Sequence, residues 1–330
     1  MPKLGDVDAH DRSLLAGLVA SSGQHGGWSA VRVSGRTSTN HTYVLHVGGR
    51  RFVARCYRWP YEGDDRLERP RKEAWLSQSL AAAGVPVPEI VATVDARDNS
   101  GGAVLMRYVE GDLLGELAAA RVSGLETAWA DAGRALRRAH ALPGPPGGAG
   151  QIVGDRLEPF REGSWGEWQA ANLTQHAARL AARHGSAIPV GDLRRVAEAA
   201  VDLLDERPLR LIHNDPHPWN VLAVEARGRW KCAAWLDWEF AWVGDPLWDL
   251  ARLDVFRVTD IGPTPDAFFE GYGSAPEPPA YEFYVLAINL WMVNQSDDGS
   301  TALPATFAAA RTYVRDLARH LVRIETMLTA

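Results

Sequence analysis

The sequence predicts an α+β fold of two lobes, with an antiparallel sheet and a helix in the N-terminal lobe and mostly helices in the C-terminal lobe. Three observations lead to this expectation. The chain has 330 residues, which exceeds the usual size of a single hydrophobic core. Strand-like runs follow one another near the N-terminus, whereas apolar residues recur at helical spacing later in the chain. We expect the lobes to comprise residues 1–109 and 110–330.

Three short strands in series predict the sheet of the N-terminal lobe. Strands at 31–34 and 43–47 flank a turn at 35–40, and a Gly-Gly pair then leads the chain into a third strand at 51–57. The turn at 35–40 is rich in small residues, whose backbone N–H groups can approach a phosphate. It lacks the Gly-x-Gly-x-x-Gly pattern, so by itself it fits a plain hairpin turn better.

A helix and a further strand connect this sheet to the second lobe. The helix begins near Pro70, continues through 73–83 and ends at Gly84, and a Val-Pro-Val-Pro run prevents its continuation. Residues 104–111 then predict a strand that runs into the linker between the lobes.

Two apolar stripes at steps of three and four predict scaffold helices in the C-terminal lobe. The first stripe ends at His140, which is typical of a structural histidine with satisfied hydrogen bonds. Helical patterns around Trp165 and Trp168 continue up to residue 204. The stripes consist of Leu125, Ala128, Ala132, Leu136 and Ala139, and of Val314, Leu317, Leu321, Ile324 and Leu328.

The most informative segment is His-Asn-Asp-Pro-His-Pro-Trp-Asn at 213–220, followed by Leu-Asp-Trp-Glu at 236–239. Apolar runs at 209–212, 221–224 and 232–236 predict strands on either side of the polar residues. Phosphoryl transfer to a hydroxyl requires an acceptor for the hydroxyl proton and hard oxygen ligands for Mg²⁺. We predict that Asp215 is the proton acceptor, that Asn220 and Asp237 hold the metal, and that His213 braces the loop.

A third segment, Gly-Asp-Pro-Leu-Trp-Asp-Leu-Ala at 244–251, follows these two in order. Together the three segments resemble the aminoglycoside phosphotransferase and choline kinase superfamily, small-molecule relatives of the protein kinases. The resemblance covers about residues 30–325 and implies a protein-kinase-like fold with ATP and Mg²⁺ as cofactors. Within the third segment, Asp249 is expected to cap a helix or to hold the catalytic loop.

The resemblance also implies the nucleotide contacts. A loop that covers the ATP phosphates would include Ser38, Thr39 and Asn40. A cation on the third strand would pair with an acid on the next helix. None of the lysines, Lys3, Lys72 and Lys231, lies on that strand, which offers Arg55, with Glu73 on the helix. Because the guanidinium of arginine is bulkier than the ammonium of lysine, the sequence does not determine how this cation would contact the phosphates. The remaining implied contacts are the backbone of Arg107 and Val109 at the adenine edge, and Met106 near the ring.

Composition and charge narrow the class of protein. The formal net charge is −6, which argues against a nucleic-acid partner. The N-terminus lacks the basic start and apolar run of a signal peptide, and no stretch approaches the length of a membrane span. The two cysteines, Cys56 and Cys232, fall in different lobes and do not suggest a disulfide framework. We therefore expect a soluble cytoplasmic protein that does not bind membranes.

We expect the acceptor to be a small molecule with a hydroxyl group. The sequence indicates its chemical class less specifically than it indicates the catalytic residues. Residues 258–310 contain no Lys or Arg but seven acidic residues, which fits either a solvated face or a field that attracts a cation. Glu239 and Trp291 are candidate acceptor contacts, and Trp291 with Gln295 resembles a late helix of choline kinases. The segment at 244–246 instead resembles bacterial antibiotic kinases.

Three readings of the function follow from these features. The preferred acceptor is an aminoglycoside, which would imply antibiotic resistance, and choline, ethanolamine or another amino alcohol comes second. The third reading, motivated by Arg55, is a nucleotide-binding module that has lost catalysis, although Asp215, Asn220 and Asp237 oppose it. The oligomeric state stays open.

Overall fold

The N-terminal lobe is an antiparallel sheet that two helices pack against, as the computed structural model shows. The structure describes residues 7, 9–33, 40–58, 65–95, 101–256, 261–299 and 304–329. The five strands have the order β1-β2-β3-β5-β4, and every neighbouring pair is antiparallel. The elements of this part of the chain are α1 (Ala9–Ser21), β1 (Trp28–Arg32), β2 (His41–Val47), β3 (Arg50–Cys56), α2 (Asp65–Ala82), β4 (Ile90–Val94) and β5 (Ala103–Arg107).

The sheet forms because alternate residues of its central strands are apolar. Along β2 and β3 every second side chain is buried, so one face of the sheet is continuous core. The helix α1 covers this face with Leu15 and Leu18, which are fully buried. The sequence analysis did not predict α1. The predicted strands at 43–47 and 51–57 agree with β2 and β3 within two residues.

The helix α2 begins earlier than the sequence suggests and belongs to both lobes. It starts at Asp65, so Pro70 lies inside the helix rather than at its first turn. It packs on β4 and β5 of the sheet, whereas its buried Leu76 and Leu80 are part of the core of the C-terminal lobe. The helix therefore carries Glu73 at the junction of the two lobes.

The C-terminal lobe is mostly helical, which confirms the predicted α+β class. Two small antiparallel sheets, with the orders β11-β10-β6 and β8-β7-β12-β9, lie among its helices. The pairs α5 with α6, α4 with α8 and α7 with α9 pack most extensively. The elements are β6 (Asp112–Leu113), α3 (Leu114–Ala119), α4 (Glu126–Ala139), β7 (Gly150–Val153), β8 (Arg156–Pro159), α5 (Trp165–His184), α6 (Val190–Asp205), β9 (Arg210–Ile212), β10 (Val221–Ala226), β11 (Arg229–Trp235), β12 (Trp242–Gly244), α7 (Pro246–Phe256), α8 (Asp266–Tyr272), α9 (Ala280–Asp297), α10 (Pro304–Arg315) and α11 (Leu317–Leu328).

The second apolar stripe of the sequence covers two helices, not one. Val314 lies in α10, and the other four residues of the stripe lie in α11, beyond a break at Asp316. The spacing of three and four continues across the break, which is why the sequence pattern did not reveal it.

The linker between the lobes is pinned to the hairpin that carries the candidate metal ligands. After β5 the chain forms β6, which pairs with β10 through Leu113 and Leu222. Gly111 allows this approach, because its φ of 146° lies outside the usual range of other residues and a Cβ there would stand 2.6 Å from the Ala223 carbonyl oxygen. The boundary between residues 109 and 110 falls in this linker and stays a prediction.

Within the part of the chain that the structure describes, no helix is both long enough and apolar enough to span a lipid bilayer.

Candidate active site

The predicted catalytic loop, between β9 and β10, is held by one buried carboxylate. Asp249, on α7, is fully buried and accepts hydrogen bonds from the backbone N–H groups of His213 at 2.6 Å and of Asn214 at 2.8 Å. His140 contacts the same carboxylate at 3.0 Å through Nε2. Asn214 has a φ of 61°, and its side-chain oxygen accepts from the Trp248 indole N–H at 2.7 Å. Of the two roles expected for Asp249, the structure therefore gives it that of holding the loop.

His213 joins the catalytic loop to the strand that leads to Asp237. The side chain is fully buried, and its Nε2 lies 2.9 Å from the Leu236 carbonyl oxygen. Its Nδ1 accepts from the Asp215 N–H at 3.3 Å. Burial lowers the pKa of His213, so the ring is neutral, with its proton on Nε2. This arrangement agrees with the bracing role that the sequence predicts for His213.

Asp215 presents a partly exposed, ionised carboxylate. Its Oδ2 lies 3.5 Å from both His217 Nε2 and Asn220 Nδ2, and its Oδ1 lies 3.6 Å from Arg252 Nη2. Burial alone would raise the pKa of Asp215, but the charges of His217 and Arg252 and the His217 hydrogen bond outweigh it and hold the pKa well below the ordinary value. The carboxylate is thus available as a proton acceptor at neutral pH.

The candidate metal ligands Asn220 and Asp237 are positioned by a direct connection between their strands. The Leu236 N–H donates to the Asn220 carbonyl oxygen at 2.8 Å, which places Asp237 one residue beyond this bond. Asp237 adopts a left-handed backbone conformation, with φ of 63° and ψ of 56°, that ends the extended run after β11. Asn220 also donates from Nδ2 to the Asp215 carbonyl oxygen at 3.0 Å. The structure therefore brings Asp215, Asn220 and Asp237 together as the sequence predicts.

Arg55 occupies the position expected for the cation of the third strand. Its Nη1 lies 3.1 Å from Glu73 Oε1 and 2.6 Å from Asp237 Oδ1. Burial lowers the pKa of Arg55, but the charges of Asp237 and Glu73 outweigh this effect, so the guanidinium stays charged. A strand of the sheet, the helix α2 and the end of β11 thus meet at one ion pair cluster.

Glu239 belongs to the same cluster and is nearly inaccessible. The side chain is buried and accepts from Asn40 Nδ2 at 2.9 and 3.0 Å and from Arg69 Nη1 at 3.1 Å. Burial, reinforced by the charge of Asp237 and opposed by Arg55 and Arg69, raises the pKa of Glu239 above its ordinary value. These partners come from the N-terminal lobe, so the acceptor contact that the sequence suggests for Glu239 has no support in its surroundings.

Three carboxylates of this cluster lie close enough together to share a cation, and Arg55 already contacts two of them. Glu73, Asp237 and Glu239 each offer a carboxylate oxygen, and these oxygens all lie within 4.8 Å of one another. Mg²⁺ prefers carboxylate and amide oxygens, and Asp237 with the neighbouring Asn220 provides both kinds. The predicted pair, Asn220 and Asp237, thus has donor types that suit Mg²⁺, whereas Glu239 is committed to Asn40 and Arg69.

The structure describes some of the residues that the sequence predicts at the nucleotide, and others lie outside the described residues. Met106 and Val109 are half-buried near the linker, and Arg107 is exposed. The Arg107 N–H donates to the Glu89 carbonyl oxygen at 2.8 Å, so this group is already committed within the sheet. An adenine contact at Arg107 would therefore have to use its carbonyl oxygen. Ser38 and Thr39 lie outside the described residues, whereas Asn40 is described and buried.

On the acceptor side, Trp291 contacts a cation of the protein itself. The Arg252 guanidinium lies 4.9 Å from the centroid of the Trp291 ring, and this side chain also faces Asp215. The sequence analysis did not identify Arg252. Its position three residues after Asp249 puts both on one face of a helix, which was the available signal.

Several acids of the region without Lys or Arg are paired with bases from elsewhere in the chain. The pairs are Glu282 with Arg323, Asp297 with His184 and Arg311, and Asp298 with Arg183. Within the described parts of the chain, Asp266, Glu270 and Glu277 form no ion pair. The acidic character of this region is thus smaller than the sequence alone suggests.

A two-lobed fold in which an aspartate of a loop, an amide and further carboxylates come together near the junction of the lobes is typical of kinases of small molecules. The model of the phosphotransferase enzyme family matches residues 30–284. The chain belongs to this family, which confirms the resemblance found in the sequence.

Solved structures share this fold. One is a thermostable mutant of aminoglycoside phosphotransferase APH(4)-Ia in a ternary complex with ADP and hygromycin B, with a TM-score of 0.63 and 18% identity over 86% of this chain and 93% of that chain. Another is the ternary complex of APH(2″)-IIa with streptomycin and ATP, with a TM-score of 0.60 and 14% identity over 94% of this chain and 98% of that chain. No curated protein sequence matches the chain.

Proposed function

We propose that this kinase transfers the γ-phosphoryl group of ATP to a hydroxyl of a small molecule, with Asp215 as the acceptor of the hydroxyl proton. The observation that carries the proposal is the convergence of Asp215, Asn220 and Asp237 on connected backbone segments. Asp249 supports this geometry by holding the loop. Phosphoryl transfer depends mainly on positioning and on electrostatic stabilisation, which such a rigid arrangement provides.

The proposed metal is Mg²⁺, held by Asn220 and Asp237. When bound, the metal would neutralise negative charge on the triphosphate. His213 would keep both strands in register through the Leu236 carbonyl oxygen. Arg55, fixed between Glu73 and Asp237, would provide positive charge for the phosphates.

The proposed nucleotide site uses the linker and the first turn of the sheet. Ser38 and Thr39 are the proposed phosphate contacts, whereas the Asn40 side chain is committed to Glu239 and would anchor the end of the turn. Met106 would pack near the adenine ring, with the Arg107 carbonyl oxygen and the Val109 N–H at its edge. The Val109 N–H suits this role, because within the described residues it makes no backbone hydrogen bond.

The first acceptor candidate is an aminoglycoside in a cytoplasmic resistance enzyme. Two structures with this fold hold hygromycin B and streptomycin, and Asp266, Glu270 and Glu277 have no basic partner in the described chain. Choline and ethanolamine come second, because the Trp291 face that would hold a small ammonium by cation–π attraction is next to Arg252.

The test measures ADP release from ATP and Mg²⁺ with a panel of aminoglycosides and amino alcohols. We expect acceptor-dependent turnover, and we expect Asp215→Asn to lower kcat by about 10²–10⁴-fold. Asp192→Asn, at an exposed position of α6, is the matched control and should retain full activity. Activity of Asp215→Asn equal to the parent would remove Asp215 from its role. ATP binding without turnover of any acceptor would favour the nucleotide-binding module.

A further inference from the structure

Arg252 places a guanidinium beside the Oδ1 atom of Asp215. It lies on α7, one turn after Asp249, and only 8% of the residue is exposed. Its Nη2 stands 3.6 Å from Asp215 Oδ1. Burial lowers the pKa of Arg252, and the charges of Asp215 and Asp249 oppose this effect. A cation is therefore kept in a largely desolvated position beside the catalytic loop.

Two indole rings fix the guanidinium in this position. The carbon at its centre lies 4.9 Å from the Trp291 ring centroid and 5.9 Å from that of Trp248. Trp248 is itself immobilised, because its N–H donates to Asn214 and its ring packs at a right angle against Tyr284, 5.6 Å away. The position of Arg252 is thus set by α7 and α9 together.

The two oxygens of Asp215 have different surroundings. Oδ2 faces His217 and Asn220, on the side of the candidate metal ligands, whereas Oδ1 faces Arg252. The contacts on both sides are 3.5 to 3.6 Å long, so neither side holds the carboxylate by a short hydrogen bond. Loss of one side would leave the carboxylate free to rotate toward the other.

We propose that Arg252, seated on Trp291 and Trp248, is a positioning residue that orients the Asp215 carboxylate toward the acceptor hydroxyl. The inference rests on the proposed role of Asp215. It gives Trp291 a supporting role under Arg252 in place of direct contact with an acceptor. A general base must lie within about 2.6–3.2 Å of the group it deprotonates, and a misplacement of about 1 Å costs about 10²-fold in rate.

The kinetic test compares Arg252→Ala and Arg252→Lys with the parent, using the acceptor that gives turnover in the panel above. We expect Arg252→Ala to lower kcat by about 10²-fold with the KM for ATP unchanged. Arg252→Lys should recover part of the loss, because an ammonium keeps the charge without the planar fork. Arg134→Ala, at an exposed ion pair on α4, is the matched control.

Chemical rescue separates positioning from a general loss of structure. Methylguanidinium at low millimolar concentration should restore part of the activity of Arg252→Ala, whereas the same concentration of urea should not. It should have no effect on Asp215→Asn. Full kcat in Arg252→Ala, or a loss that methylguanidinium leaves unchanged, would overturn the inference.

A crystal structure of Arg252→Ala without acceptor tests the inference without any knowledge of the substrate. We expect the Asp215 carboxylate to rotate toward His217, with the backbone of 213–220 unchanged. An unmoved carboxylate would overturn the inference even if no acceptor in the panel were turned over. If Asp215→Asn is inactive and Arg252→Ala is fully active, the proposed function stands and only the role of Arg252 fails.

Discussion

At the level of single residues, the arginine of the third strand does not prevent a kinase-like ion pair. One nitrogen of Arg55, Nη1, makes the contacts both to Glu73 and to Asp237. A lysine at the same position would offer one ammonium nitrogen with three donors, which is sufficient for two such contacts. The departure from lysine therefore changes the shape of the cation more than its connections.

We expect Arg55→Lys to retain most of the activity and Arg55→Met to lose it. Arg55→Met would leave Glu73, Asp237 and Glu239 without their shared cation, and an uncompensated buried charge costs about 3–5 kcal/mol. The measurements are the free energy of unfolding in urea and the KM for ATP. If Arg55→Met were as stable as the parent, the cluster would not depend on this guanidinium.

At the level of elements, the sequence predicted those strands and loops whose formation depends on residues close together in the sequence. The loop at 213–220 and the strands around it carry turn residues and apolar runs within a few positions of each other, and the structure has β9, β10 and β11 there. The strands β2 and β3 were predictable for the same reason, because period-two burial is visible locally.

The sequence did not predict features that depend on distant parts of the chain. The strand β12 has only three residues, and it exists because it pairs with β7 and β9. The start of α2 at Asp65 was missed because Pro70 favours a first-turn position, which here is overridden by packing. The contact of Arg252 with Asp215 joins α7 to the catalytic loop. The spacing of Arg252 from Asp249 shows only that they share a helix face, and no local pattern identifies Asp215 as the partner.

The helices α5 and α9 share a buried histidine that should make their packing depend on pH. His176 of α5 contacts Asn294 of α9, whose Nδ2 lies 3.3 Å from His176 Nδ1 and 3.1 Å from its carbonyl oxygen. Burial, reinforced by Arg179, lowers the pKa of His176 to about 4, whereas the ordinary value is 6.5. The unfolded chain thus binds a proton at this residue before the folded protein does.

We therefore expect the folded state to lose stability as the pH falls from 6.5 to about 4, by up to about 3 kcal/mol from this residue. The stabilising contribution is fully present above pH 6.5. In urea unfolding, the difference in stability between the parent and His176→Gln should change across this window, because glutamine does not titrate. Gln175→Ala, at an exposed position of the same helix, should show no such change, because neither residue titrates. A difference that is constant with pH would contradict the prediction.

At the level of the whole molecule, the two lobes are joined by a series of polar contacts that are mostly buried. Asp11 of α1 accepts from Arg58 at 2.7 Å, and the Arg58 N–H donates to the Asn40 side chain at 3.2 Å. Asn40 then donates to Glu239, which also accepts from Arg69. Asn40, Glu239 and Arg69 are nearly inaccessible to solvent. In this series of contacts, Glu239 is the residue that belongs to the C-terminal lobe.

Substitution of Glu239 should therefore weaken the junction of the lobes. We expect Glu239→Ala to lower the free energy of unfolding by about 3–5 kcal/mol, because it leaves the buried Arg69 without this carboxylate. Glu239→Gln keeps an acceptor oxygen and should cost less, about 1–3 kcal/mol. Glu89→Gln, in an exposed ion pair, is the matched control.

The same variants show whether Glu239 holds the two lobes together or contacts the acceptor. A junction predicts lower stability and a raised KM for ATP, since Asn40 and Arg69 lose their partner in the C-terminal lobe, while the KM for the acceptor stays unchanged. Urea unfolding followed by two probes, tryptophan fluorescence and far-ultraviolet circular dichroism, should also show less coincident transitions in Glu239→Ala. If stability and the KM for ATP were unchanged and only the KM for the acceptor rose, Glu239 would face the acceptor, and the lobes would be held together by the remaining contacts alone.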